Sequence, residues 1–278
     1  MPRVGVRLRT RRIDAVPVML APVLLIVGTG PASPSGHRSV EAEATQFKAT
    51  MSDGTVLRSP DLVGAQLVID VAGRPIALRI DAVEPDPDAR RGEVWLHTFA
   101  TQAEDGSWRN PCQAGPDRRR QGFPLPGQVR RSDAQFEQAE AGTFELTCTA
   151  GAEGKCVRFG YFPWVGPEGL ALFNACVRMM RGDYCGSGEP HTRAGTPIEV
   201  YDNSGGAQDQ PAQAMELEAV WGAQGAICVR RVRVNEIFSL DQLRESCPRL
   251  KPEDLGAGCT EERMSRDPHA LLMNKSFP

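Results

Sequence analysis

Eight cysteines, all between positions 112 and 259, constrain this 278-residue chain more than any other feature. They are Cys112, Cys148, Cys156, Cys176, Cys185, Cys228, Cys247 and Cys259. An even number in a chain bound for an oxidising compartment favours disulfides. The competing chemistry is structural zinc, which presents ligands roughly two to four residues apart. No C-x-x-C pair occurs, and the closest neighbours, Cys148 and Cys156, have seven residues between them. Disulfides therefore outrank zinc, and each is expected to contribute about 2–4 kcal/mol by restricting the unfolded chain. The spacing alone leaves the pairing open. Cys148 and Cys156 flank the Ala150–Gly154 turn, close enough for a bridge between them to be sterically reasonable.

The N-terminus supplies the route to an oxidising compartment. Arg3, Arg7, Arg9, Arg11 and Arg12 precede the apolar run Ala15–Thr29, and the small residues Gly28, Gly30 and Ala32 follow. This is the order of a cleaved signal peptide over residues 1–32, with processing near Ala32. The run is interrupted by Pro17 and Pro22 and is shorter than the roughly 20 residues that span a bilayer. No second stretch approaches that length, so the mature chain is expected to lack a transmembrane segment and to reside in the periplasm or outside the cell. Removing residues 1–32 moves the formal net charge from −3 to −7. A surface that acidic repels phosphate backbones, which makes nucleic acid a poor partner.

Beyond the leader, residues 33–44 read as a flexible lead-in. Short β segments follow over 45–101: Phe47–Met51 and Thr55–Leu57 around Asp53-Gly54, a hairpin from Leu67–Val71 and Ile76–Ile80, then Val94–Phe99. Residues 102–143 are rich in glycine and proline and read as an irregular connection pinned by Cys112. Their arginines, Arg118-Arg119-Arg120 and Arg130-Arg131, sit among acidic residues and read as solvated loop. In the cysteine-rich part, 144–260, strands are expected at Phe144–Thr149, Lys155–Phe159, Pro197–Tyr201, Met215–Trp221 and Ala226–Val234. The 3–4 spacing of Leu172, Ala175, Cys176, Met179 and Met180 predicts a helix over Leu170–Met180, capped by Gly182. Ser239 and Gln242 predict a second helix through a capping box. Residues 261–278 read as a tail. The expected fold class is α+β, mostly β, with a small N-terminal β module and a disulfide-rich β domain containing two short helices.

Four stretches within 144–259 carry a family likeness: FELTCTAGAEGKCVRFGYFPW, NACVRMMRGDYC, HTRAGTPIEVYD, and AVWGAQGAICVRR with the later SLDQLRESCPRL. Together they resemble the ADYC domain, a family of exported bacterial proteins named for an Ala-Asp-Tyr-Cys motif. The motif stands here as Gly182-Asp183-Tyr184-Cys185, so its first position departs, as a cap variant at the helix end. The likeness is strong over 144–259 and weaker over the preceding β module. The family implies export and no particular reaction.

Function must then be read from the residues. Asp183, His191 and Asp202 are the candidates for a catalytic site, His191 as general base and a carboxylate as its orienting partner. Their spacing matches no catalytic signature, and structural roles weigh more: Asp183 capping backbone N–H groups, His191 bonding a loop. Asp202 and Asp209 bracket an oxygen- and glycine-rich loop that suggests calcium but lacks the spaced ligand pattern. Among Trp95, Trp108, Trp164 and Trp221, Trp164 is the best candidate for an exposed ligand platform. The sequence thus points to a non-catalytic module of the envelope or exterior, binding a protein or glycan without a cofactor. An exported hydrolase centred on His191 and a calcium-stabilised domain are the alternatives.

Overall fold

A computed structural model of the chain describes residues 39–71, 74–203 and 214–278. The expected signal peptide and Asp209 lie outside the described residues.

Strands β1 (Ser39–Glu43), β2 (Gln46–Thr50) and β3 (Val56–Arg58) form an antiparallel sheet in that order. The end of the expected lead-in is therefore a strand, because Val40 is buried beside Phe47 and Ala49. The predicted hairpin is β4 (Gln66–Val71) with β5 (Arg74–Pro85), and β6 (Trp95–Gln102) extends it. Alternating Leu67, Ile69, Leu78 and Ile80 turn one face inward, where they meet Phe47 and Phe99. The short β7 (Trp108–Arg109) pairs with the end of β6.

The connection expected to be irregular contains β8 (Gly122–Pro126), β9 (Gln128–Val129) and β10 (Phe136–Glu137). β8 joins β11 (Phe144–Cys148) to the hairpin, giving a six-stranded sheet of order β11-β8-β6-β5-β4 with β7 beside β6. The sheet crosses the positions, 101 and 144, at which the sequence suggested boundaries. Pro124 and Pro126 argued against a strand, since proline cannot donate to a ladder. They are tolerated because β8 pairs along its length only with β11 and meets β6 at the single pair His97 and Gly122.

A second correction concerns residues 155–159, expected as a strand. Helix α1 (Ala152–Arg158) stands there instead. Gly154 presses against the preceding strand, and a Cβ at that position would lie 2.3 Å from the Cys148 carbonyl oxygen. The helix carries Cys156 away from Cys148 and toward α2 (Gly166–Arg181), so the bridge considered between Cys148 and Cys156 does not form. The pairs are Cys112–Cys148, Cys156–Cys176, Cys185–Cys247 and Cys228–Cys259.

α2 buries Phe173, Cys176, Val177 and Met179 and ends at Gly182, whose left-handed φ of 62° lets its N–H reach the Arg178 and Met179 carbonyls. Strands β12 (Ile198–Asp202), β13 (Glu216–Gly222) and β14 (Gly225–Val229) follow, then α3 (Leu240–Ser246), α4 (Arg263–Arg266) and β15 (Leu272–Ser276). The Ser239 and Gln242 capping box opens α3 as expected. The predicted tail, by contrast, ends in an inner strand. β15 lies between β12 and β13 in the order β12-β15-β13-β14, with Leu272 and Asn274 fully buried. The two helices expected are thus joined by α1 and α4, and the fold is α+β, mostly β. Its largest core packs Leu96, Phe123 and Leu125 of the six-stranded sheet with α1, α2 and Trp221 and Val229 of the C-terminal sheet. Among the described residues no helix is long and apolar enough to cross a membrane.

Candidate functional site

The Gly182–Cys185 segment leaves α2 and turns into the core. Asp183 is fully buried, pairs with Arg178, and accepts from the backbone N–H groups of Ser187 at 3.0 Å and Gly188 at 2.9 Å. Tyr184 Oη donates to Glu218 Oε1 at 3.0 Å and accepts from the Arg233 N–H at 2.8 Å. Arg233 closes the network on both Glu218 oxygens and on the Met179 carbonyl, each at 2.8–2.9 Å. Burial, reinforced by the Glu218 carboxylate, pushes the Tyr184 hydroxyl well above its usual pKa and keeps it neutral. Its ring stacks on Trp221 at 5.3 Å, and Cys185 is bridged to Cys247. All these groups face the interior and bind one another, so the motif joins α2, β13 and α3.

The three candidate catalytic residues take separate partners. His191 is half-buried, with Nδ1 3.3 Å from the Gly182 carbonyl oxygen and its ring stacked on Phe238 at 3.7 Å. Asp183 is engaged as above. Asp202, buried at the end of β12, accepts from Tyr161 Oη at 2.9 Å. Asp209 is not among the described residues, and within those no group of three His, Cys, Asp or Glu side chains is placed to hold a metal ion.

A different histidine attracts notice only in three dimensions. His97 on β6 is fully buried, with Nε2 2.7 Å from Ser59 Oγ. Ser59 Oγ also accepts from the Phe47 N–H at 2.7 Å. Burial lowers the His97 pKa to about 4. Both side chains are sealed from solvent, so this Ser–His contact holds β2 and β6 together and offers no substrate access.

The accessible features lie elsewhere. Trp221 is core and donates to Asn274 Oδ1 at 2.7 Å, while Trp108 lies under the Arg79 guanidinium at 4.6 Å. Trp164 is partly exposed, stacks on Phe162 at 5.0 Å, and lines a pocket of about 190 Å³ with Glu41, Gln138 and Glu140. Gly142 and Thr143 continue this pocket into a groove of about 410 Å³ between β4 and β11. Of the arginines in the 102–143 segment, Arg119 pairs with Glu84 and Arg130 with Asp133.

Comparison with known families gives one match: the ADYC domain model covers residues 59–235, more than half of the chain. It begins at Ser59, within the β module that the likeness covered more weakly, and stops at residue 235, short of the 259 to which the likeness extended and before α3 and β15. No curated protein and no solved structure matches the chain.

Proposed function

The chain belongs to the ADYC domain family, and from that premise we propose that it is an exported, disulfide-stabilised, non-catalytic module that binds a protein segment or a glycan in the cell envelope or outside the cell. Four disulfides accord with an oxidising compartment. The observation that carries the reading is Trp164, an aromatic face left partly open over a pocket edged by the polar side chains Glu41, Gln138 and Glu140. An apolar ring with a few polar neighbours is the usual make-up of a small recognition site. The most distinctive polar residues of the family motif, by contrast, are consumed by the core.

The test is binding of the purified, oxidised protein to a glycan array and to short random peptides, alongside Trp164→Ala. The reading expects a ligand on one of the two platforms and its loss in the variant, with an unchanged circular dichroism spectrum. A measurable turnover that disappears in a folded His191→Ala protein contradicts it and favours the hydrolase.

A further inference from the structure

The two edges of the six-stranded sheet line one groove. β4 and β11 stand at opposite ends of the order β11-β8-β6-β5-β4, yet Ile69 and Val71 from one and Phe144 and Leu146 from the other wall the same space of about 410 Å³. The sheet therefore curls toward closure, while among the described residues no strand pairs with the outer edge of either β4 or β11. Open edges of this kind present unpaired N–H and C=O groups, which are templates for a further strand.

Strand direction says what fits. Every neighbouring pair along the path is antiparallel. Five strands that alternate in direction leave both edges running the same way. One added strand, running opposite to both, completes an all-antiparallel ring, and it needs edges on the order of 10 Å apart to make two ladders. The side chains match a strand as well. Ile69 belongs to the buried cluster that Phe144 and Leu146 pack against, and Asp70 and Glu145, which alternate with them along the strands, also line the groove. Arg131, exposed at the groove, has no hydrogen bond or ion pair among the described residues.

We propose that this groove takes up an extended polypeptide segment of another protein, added as a strand antiparallel to both β4 and β11, with apolar side chains over Ile69 and Leu146 and an acidic side chain on Arg131. The proposal rests on the binding-module reading and names its partner. Backbone ladders supply the affinity in such strand addition, and alternate side chains the specificity.

Panning short random phage-displayed peptides against the oxidised protein tests it. Enriched sequences should alternate apolar and polar residues and carry Asp or Glu. Their binding should slow amide exchange over 66–71 and 144–148, and Arg131→Glu should weaken it about tenfold. Enriched peptides that need Trp164 but ignore Arg131→Glu overturn the strand proposal and leave the binding module standing. Glycan binding with no peptide enriched does the same. Failure of both platforms removes both readings.

Discussion

Tyr184 and Glu218 share a 3.0 Å hydrogen bond between two fully buried side chains, and Arg233 bonds both oxygens of the same carboxylate. The tyrosine of the family motif thereby secures a buried charge pair. Replacing Tyr184 by Phe removes one donor and leaves the Arg233 N–H without its acceptor, at a cost of about 1–3 kcal/mol. Glu218→Ala strands the guanidinium in the core, which costs more, about 3–5 kcal/mol. Urea denaturation of both variants measures the order. If Glu218→Ala proves no more damaging than Tyr184→Phe, Arg233 is not held as a buried ion.

Gly182 occupies the first motif position in a left-handed conformation, φ 62°, where a Cβ would lie 3.0 Å from the His191 carbonyl oxygen. Alanine, the family's residue there, is disfavoured in that region by about 1–2 kcal/mol. Gly182→Ala is expected to lower stability by about 1 kcal/mol in this chain, with its spectrum unchanged. A variant as stable as the parent shows that the helix end can be rebuilt around alanine and that the glycine is not required.

The disulfides differ in the loops they close. Cys185 and Cys247 are 62 residues apart and Cys156 and Cys176 only 20. On loop-closure entropy the longer bridge contributes about 4 kcal/mol and the shorter about 3 kcal/mol. Paired alanine substitution of Cys185 and Cys247 should therefore lower the denaturation midpoint more than that of Cys156 and Cys176. Peptide mapping without reduction checks the pairing itself, and a peptide linking Cys148 to Cys156 contradicts the fold described.

What could be read in advance followed how local the determinant was. α2 announces itself through its 3–4 spacing and Gly182, and α3 through the reciprocal bonds of Ser239 and Gln242. β15 was invisible, because Leu272–Ser276 becomes a strand only between partners 51 to 78 positions earlier in the chain. β8 was hidden by prolines that are harmless on an almost unpaired edge, and α1 by its dependence on distant partners, Cys156 being bridged to Cys176 of α2. Asp183 and His191 both pack at the end of α2 but bond to different groups, and the Ser59–His97 contact joins residues 38 positions apart with no motif between them.

His97 makes stability depend on pH with a definite sign. Its pKa falls to about 4 from the ordinary 6.5 because burial disfavours the imidazolium. Above the ordinary value both folded and unfolded chains hold the ring neutral, and it has no effect. As pH falls from about 6.5 to about 4, unfolded chains gain a proton that the folded protein refuses, so stability is lost across that window and levels off below it. The gap corresponds to about 3 kcal/mol. Buried carboxylates also respond to acid, so the measurement is a difference. Urea denaturation of the parent and of His97→Gln, whose amide can still hydrogen-bond Ser59, is followed from neutral pH to about pH 4. The parent's curve should fall toward the variant's by about 3 kcal/mol. Two parallel curves would mean that the imidazole takes up its proton in the folded protein as readily as in the unfolded chain, and that β6 is not sealed as described.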